Sequence, residues 1–156
     1  MKKQTCCFTG HRKIPPEQYE RIAQRLKAEI TALIHRGVVY FEAGGALGFD
    51  TMAARAVLEL KKDYPLIKLI LVLPCKTQTR GWSQADKAIY EIIQKACDRY
   101  VYTSDEYVSG CMHKRNRRLV DDSRYCICYL AERSGGTAYT VEYAQKKGLT
   151  VINLAV

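Results

Sequence analysis

Residues 38–50 read Val38-Val39-Tyr40-Phe41-Glu42-Ala43-Gly44-Gly45-Ala46-Leu47-Gly48-Phe49-Asp50. The first six form a short apolar run of the kind that makes a strand, and Gly44-Gly45 ends it. A third glycine follows at position 48. Residues 47–62 then place Leu47, Met52, Ala53, Ala56, Val57 and Leu60 on roughly one helical face, until Pro65 breaks the pattern. Strand, glycine turn, helix is the unit from which parallel sheets with crossover helices are built.

The same unit recurs on both sides of this stretch. Upstream, residues 4–9 are a short apolar run ending at Gly10. Residues 16–36 carry Tyr19, Ile22, Ala23, Leu26, Ile30, Leu33 and Ile34 at helical spacing before Gly37. Downstream, strands are expected at 67–73, 99–102, 124–130 and 150–154, and helices at 84–97, 111–122 and 137–147. Near-continuous apolar strands alternating with amphipathic helices predict a mostly parallel sheet covered on both faces. The economical reading of residues 1–156 is one doubly wound α/β/α domain, with right-handed crossovers. The stretches 74–83 and 103–110 are long enough to wall or cover a site.

Composition sets bounds on function. Hydrophobic residues at 47% and charged residues at 26% fit a globular protein and exclude a disordered one. No apolar run approaches the roughly 20 residues of a membrane span, and the start MKKQTCCFTGHR does not read as a signal peptide. A cytosolic location without membrane association is expected. The seven cysteines include no C-x-x-C pair and no Cys/His set at zinc spacing, so they read as buried small hydrophobes and no metal is expected. The 25 Lys+Arg against 16 Asp+Glu leave a net charge of +9, which suits phosphate, on a small nucleotide or on nucleic acid.

In a doubly wound sheet, ligands bind at the carboxyl ends of strands, so the loops after the strands are where chemistry is sought. The first is Thr9-Gly10-His11-Arg12: a hydroxyl, a glycine that allows close backbone approach, and a forked cation. The second is Gly44-Gly45-x-x-Gly48 with Asp50 in the first helical turn. Its spacing is neither the dinucleotide fingerprint nor a P-loop, yet a glycine turn opening a helix favours an anion. The third, Ser134-Gly135-Gly136-Thr137, also opens a helix and has Glu142 further along it. The fourth is the basic run Lys114-Arg115-Asn116-Arg117-Arg118, read as helical, with Leu119 facing the core. Trp82 stands either to stack on a base or to anchor its loop. Most of the 11 tyrosines fall at strand or core-helix positions, which predicts packing roles.

Taken in order, T-G-H-R (9–12), G-G-A-L-G-F-D (44–50), M-x-x-R-N-R-x-L-V-D (112–121) and S-G-G-T-x-Y-T-x-E (134–142) resemble the YpsA-like branch of the SLOG superfamily. That superfamily groups Rossmann-like domains related to LOG phosphoribohydrolases and to the DNA-processing protein DprA. The resemblance covers nearly the whole chain. It implies a Rossmann-like fold and a nucleotide or nucleotide-derived ligand such as ADP-ribose, NAD or a nucleoside monophosphate. LOG enzymes split a nucleoside 5′-monophosphate into base and ribose 5-phosphate. In that comparison Arg115 and Glu142 fall at the functional Arg and Glu, and Gly135 and Gly136 at the paired glycines. Ser134, Ala138 and Tyr139 depart from the LOG pattern, which reshapes the phosphate pocket. The segment G-G-A-L-G-F-D-T-M-A-A is similar to the DprA loop around G-I-D-T.

The leading expectation is a sensor or regulator that binds a nucleotide-derived ligand, with no further cofactor implied. Gly44, Gly45, Gly48, Gly135, Gly136 and Thr137 would hold phosphate or ribose, Arg12 and Arg115 would supply charge, and Asp50 and Glu142 would contact hydroxyls or a base. Thr9, Gly10, His11, Asn116 and Ser134 complete the expected ligand set. The alternatives are a LOG-like hydrolase, in which Glu142 and Arg115 are catalytic, and a DprA-like single-strand binder. LOG relatives dimerise, so the resemblance also implies a homodimer.

Overall fold

A computed structural model describes residues 1–156. After a single 3-10 turn at Lys2–Gln4, the chain forms β1 (Thr5–Gly10), α1 (Pro16–His35), β2 (Tyr40–Ala43), α2 (Phe49–Leu60), β3 (Lys68–Leu73) and α3 (Gln84–Ala96). It continues through β4 (Arg99–Tyr102), α4 (Cys111–Asp121), β5 (Tyr125–Tyr129), α5 (Gly136–Lys146) and β6 (Thr150–Asn153). The expected strands and helices are all present, their ends within about two residues of the sequence reading.

The six strands make one sheet in the order β4-β3-β2-β1-β5-β6, and every pair is parallel. The sheet is therefore all-parallel rather than mostly so. The chain runs outward from β1 to β4, then returns through α4 to place β5 on the other side of β1. Strand order reverses between β1 and β5, and a crevice at their carboxyl ends follows from that reversal.

Both faces are covered. Alternation along β1 sends Cys6 and Phe8 to one face and Cys7 to the other. The first face packs against α1 and α2 in a cluster of 23 buried residues, where Ile22, Leu26, Ile30 and Leu33 of α1 meet Phe8, Phe41 and Ile127. The second packs against α4 and α5 in a cluster of 10, where Cys7, Cys126 and Cys128 meet Leu119, Val120, Val141 and Ala144. Six cysteines are buried and Cys97 is partly so; all seven are free thiols. No helix is long and apolar enough to cross a membrane.

Two glycines lock the β1 loop to the start of α2. A side chain at Gly10 would run into the ring of Phe49. A side chain at Gly48, where φ is +77°, would collide with the backbone carbonyl of Arg12. The Phe49 N–H donates to the carbonyl of His11 at 3.1 Å. The loop that leaves β1 is thus seated on a helix terminus.

Candidate functional site

The crevice at the β1–β5 reversal is a cleft of about 350 Å³. One wall is the β1 loop, with Thr9, Gly10, His11 and Arg12. Opposite stands the start of α5, with Ser134, Gly135, Gly136 and Thr137. Met112, Arg115 and Asn116 of α4 close it, together with Ala46 and Asp50 of the α2 turn. Thirteen residues from four separate segments meet here: the turns after β1, β2 and β5 because those strands lie side by side, and α4 because it crosses back over the sheet from the edge strand β4.

Arg115 is the most unusual of these side chains. It belongs to an exposed basic run, yet only 5% of it is accessible. One turn of helix before Leu119 and Val120 carries it inward on the α4 face that meets the sheet. Its Nη1 donates to the Gly44 carbonyl, its Nε donates to Asn116 Oδ1 at 2.7 Å, and its Nη2 lies 3.7 Å from the Met112 sulfur. It makes no salt bridge. Burial pushes its pKa down, while the nearby Asp50 carboxylate opposes that shift. A buried guanidinium held by neutral acceptors at the edge of a cleft favours an anion there.

Asp50 is also buried and lines the same cleft. Its Oδ2 accepts from the Ala46 N–H at 3.2 Å. Burial raises its pKa to about 6, against the lowering effects of Arg115, the Ala46 N–H and Arg12.

The two glycine turns differ in use. At the α2 turn, the Phe49 N–H is taken by His11, and the Gly44 carbonyl accepts from both Arg115 and Gln78 Nε2 (3.3 Å). A side chain at Gly44 would lie 2.6 Å from Arg115 Nη1 and 2.9 Å from Asp50 Oδ2. Gly44 and Gly45 do not line the cleft, because protein atoms fill the space their missing side chains leave; Gly48 lies under the Arg12 backbone instead. At the α5 turn the opposite holds. Added side chains at Gly135 (φ +91°) and Gly136 would meet nothing within 4 Å, and no side chain caps the helix. Bare amides at a positive helix end thus face the open cleft.

Other expected residues sit elsewhere or act differently. Glu142 does not line the cleft: its side chain is 68% exposed and pairs with Lys146 at 3.3 Å. Thr137, Thr140, Val141 and Ala144 form the buried face of α5, and Glu142 projects from another side. His11 lines the cleft, but its Nε2 accepts from the Ala131 and Glu132 N–H groups at 2.9 and 3.1 Å. Its Nδ1 then carries the ring proton, and the imidazole ties the β5 loop to the β1 loop. Trp82 packs edge-on against Tyr90, with ring centroids 5.6 Å apart, and does not line the cleft. In the 74–83 segment it is Gln78, missed in the sequence, that supports the site, through its hydrogen bond to the Gly44 carbonyl behind the cleft. Most tyrosines pack as expected: Tyr129 is buried and Tyr40, Tyr64, Tyr90, Tyr102, Tyr125 and Tyr143 lie against the two cores, while Tyr19, Tyr100, Tyr107 and Tyr139 are exposed.

The fold and cleft define a Rossmann-like α/β protein with a polar crevice at the strand-order reversal. The chain belongs to the YspA SLOG family, whose YpsA model matches residues 7–152. It is 31% identical over 132 residues to UPF0398 proteins of Bacillus thuringiensis strain Al Hakam and Bacillus cereus strain AH187, which covers 83% of this chain and 72% of each relative. Among solved structures, DNA processing protein A of Helicobacter pylori, described for its single-stranded DNA binding mode, superposes with TM-score 0.68 at 22% identity. DNA processing protein A of Streptococcus pneumoniae superposes with TM-score 0.71 at 19% identity. Both alignments cover 97% of this chain, but only 65% and 50% of those larger chains.

Proposed function

We propose that the cleft binds the phosphate of a nucleotide-derived small molecule, such as ADP-ribose, NAD or a nucleoside monophosphate, and that the protein senses this ligand rather than cleaving it. Buried Arg115 carries the reading. It stands in a cleft whose facing wall is the bare α5 N-terminus, and it has no carboxylate bonded to it. A phosphate in this space would meet a guanidinium and helix amides together. The placement of Glu142 favours binding over hydrolysis. Cleaving an N-glycosidic bond needs an acid or a charge beside the ribose, and the Glu expected there is exposed and paired with Lys146.

A thermal-shift panel of AMP, ADP-ribose, NAD and ribose 5-phosphate, with ribose 5-phosphate release assayed on every hit, tests the proposal. A ligand at about 100 times its Kd stabilises the fold by roughly 2.7 kcal/mol. Stabilisation without turnover is expected, and Arg115→Gln should weaken affinity by about 10- to 100-fold through loss of charge-assisted hydrogen bonds. Turnover would instead support the hydrolase.

A second reading, single-stranded nucleic-acid binding, is favoured by one observation. Tyr139 is 40% exposed and packs on His113 at 4.4 Å between ring centroids, while Arg117 donates to its hydroxyl at 3.4 Å, so an aromatic and basic surface is present on α4 and α5. Likeness to the two DNA processing proteins is consistent with it. This reading expects an oligonucleotide affinity that falls steeply with salt.

A further inference from the structure

A second and larger space, about 890 Å³, borders the same two residues, His11 and Arg12, that wall the cleft. Its remaining lining is mostly outside the sequence motifs: Pro15, Pro16, Tyr19, Tyr129 and Glu132 among them. We propose that this groove is a nucleobase subsite, in which the base of a nucleotide whose phosphate sits beside Arg115 stacks on the ring of Tyr19. The inference rests on the phosphate reading above and adds the part of the ligand that the cleft does not hold.

Four observations support it. First, Tyr19 is 46% exposed although it lines a concavity, so one ring face is available. Second, the surrounding wall is stiff. Pro15 and Pro16 open α1 with their φ angles constrained, and Tyr19 stands one turn further along that helix. A flat ring on a preformed wall loses little entropy on stacking. Third, the floor is ordered from beneath. Tyr129 is buried, its ring stacks on Phe49 at 6.3 Å, and His11 meets it edge-on at 5.7 Å. Fourth, the groove carries charged side chains that are in no ion pair. Glu132 and Arg12 both line it and both are exposed. A carboxylate accepts from the exocyclic amino groups of adenine, guanine or cytosine, which uracil lacks.

The cleft alone would take a phosphate and a sugar. With the groove, the site takes a whole nucleotide, and the base adds affinity. Titration calorimetry on the intact protein with AMP, ADP-ribose and ribose 5-phosphate tests this. The wild-type protein should bind AMP and ADP-ribose at least 10-fold more tightly than ribose 5-phosphate. Tyr19→Ala should weaken AMP and ADP-ribose by about 5- to 100-fold, leave ribose 5-phosphate unchanged, and be rescued by Tyr19→Phe, which keeps the ring. Equal affinity of the wild type for AMP and ribose 5-phosphate, or unchanged AMP affinity in Tyr19→Ala, would overturn the base subsite while leaving the phosphate reading intact. Failure of the wild type to bind any of the three overturns both. An unchanged melting temperature for Tyr19→Ala confirms that the exposed ring is not needed for folding.

Discussion

At the scale of single residues, two buried acids show how differently one fold can treat a carboxyl group. Asp50 opens toward the cleft and meets charges there. Glu42 points from the middle of β2 into the opposite face, close to Asp122 and Cys7, and its Oε1 has no hydrogen-bond partner. Burial, then the Asp122 carboxylate, raises the Glu42 pKa to about 9. The group is therefore neutral in the folded protein at pH 7 but ionised once unfolded. Its stabilising effect is fully present below the unfolded pKa near 4.5 and is lost as pH rises towards 9. At pH 7 the loss is on the order of 3 kcal/mol. Glu42→Gln keeps the shape and a donor towards Asp122 and removes the ionisation. Urea unfolding at pH 5 and pH 8 should show the variant more stable than wild type at pH 8, with most of that gain gone at pH 5. A difference independent of pH would contradict the neutral state of Glu42.

At the scale of elements, the telling contrast lies between the two glycine-rich helix starts. They look alike in sequence and differ in what surrounds them. Gly48 has φ +77° and no room, whereas Gly136 has ample room. Gly48→Ala should therefore destabilise the fold by more than about 1 kcal/mol, through a strained backbone and a clash with Arg12. It should also disturb the Arg12 loop. Gly136→Ala should be neutral or stabilising by about 0.5–1 kcal/mol, since helix propensity improves and nothing is struck. Chemical denaturation of both variants checks the pair. Which turn is filled by protein and which is open could not be read from the glycines. The deciding neighbours, Arg115 and His11, come from strands and helices distant in the chain.

The same limit explains the rest of what the sequence left unread. Strand and helix positions were legible because each apolar run stops at a glycine or proline and each helix keeps its 3.6-residue stripe, as in Ile22, Leu26, Ile30 and Leu33 of α1. Loop membership of the cleft was legible for Thr9 to Arg12 and Ser134 to Thr137, because both follow strands that end at the reversal point. Burial of Arg115 was hidden within five consecutive polar residues. Glu142 was placed by motif spacing, yet it lies six residues past Gly136, about 9 Å along the helix axis, and outside the inward stripe. Gln78 carried no local signal, since a lone glutamine in a loop reads as solvated.

At the scale of the whole molecule, the all-parallel sheet and its reversal between β1 and β5 bring a buried cation, a bare helix start and an open groove to one edge. The net charge of +9 adds a long-range attraction for anions that does not choose among them. On the proposed reading, selection among phosphates belongs to the cleft and its neighbouring groove. The central claim is that a ligand phosphate occupies the space at the α5 N-terminus, beside Arg115. Gly136→Asp tests it most directly, because an acid in the first turn stabilises the helix while its carboxylate fills and charges the space in question. Thermal unfolding and ADP-ribose titration of this variant beside wild type should give opposite signs: a melting temperature equal or higher, and affinity lowered by 10-fold or more. ADP-ribose binding undiminished in a folded Gly136→Asp protein would contradict the claim.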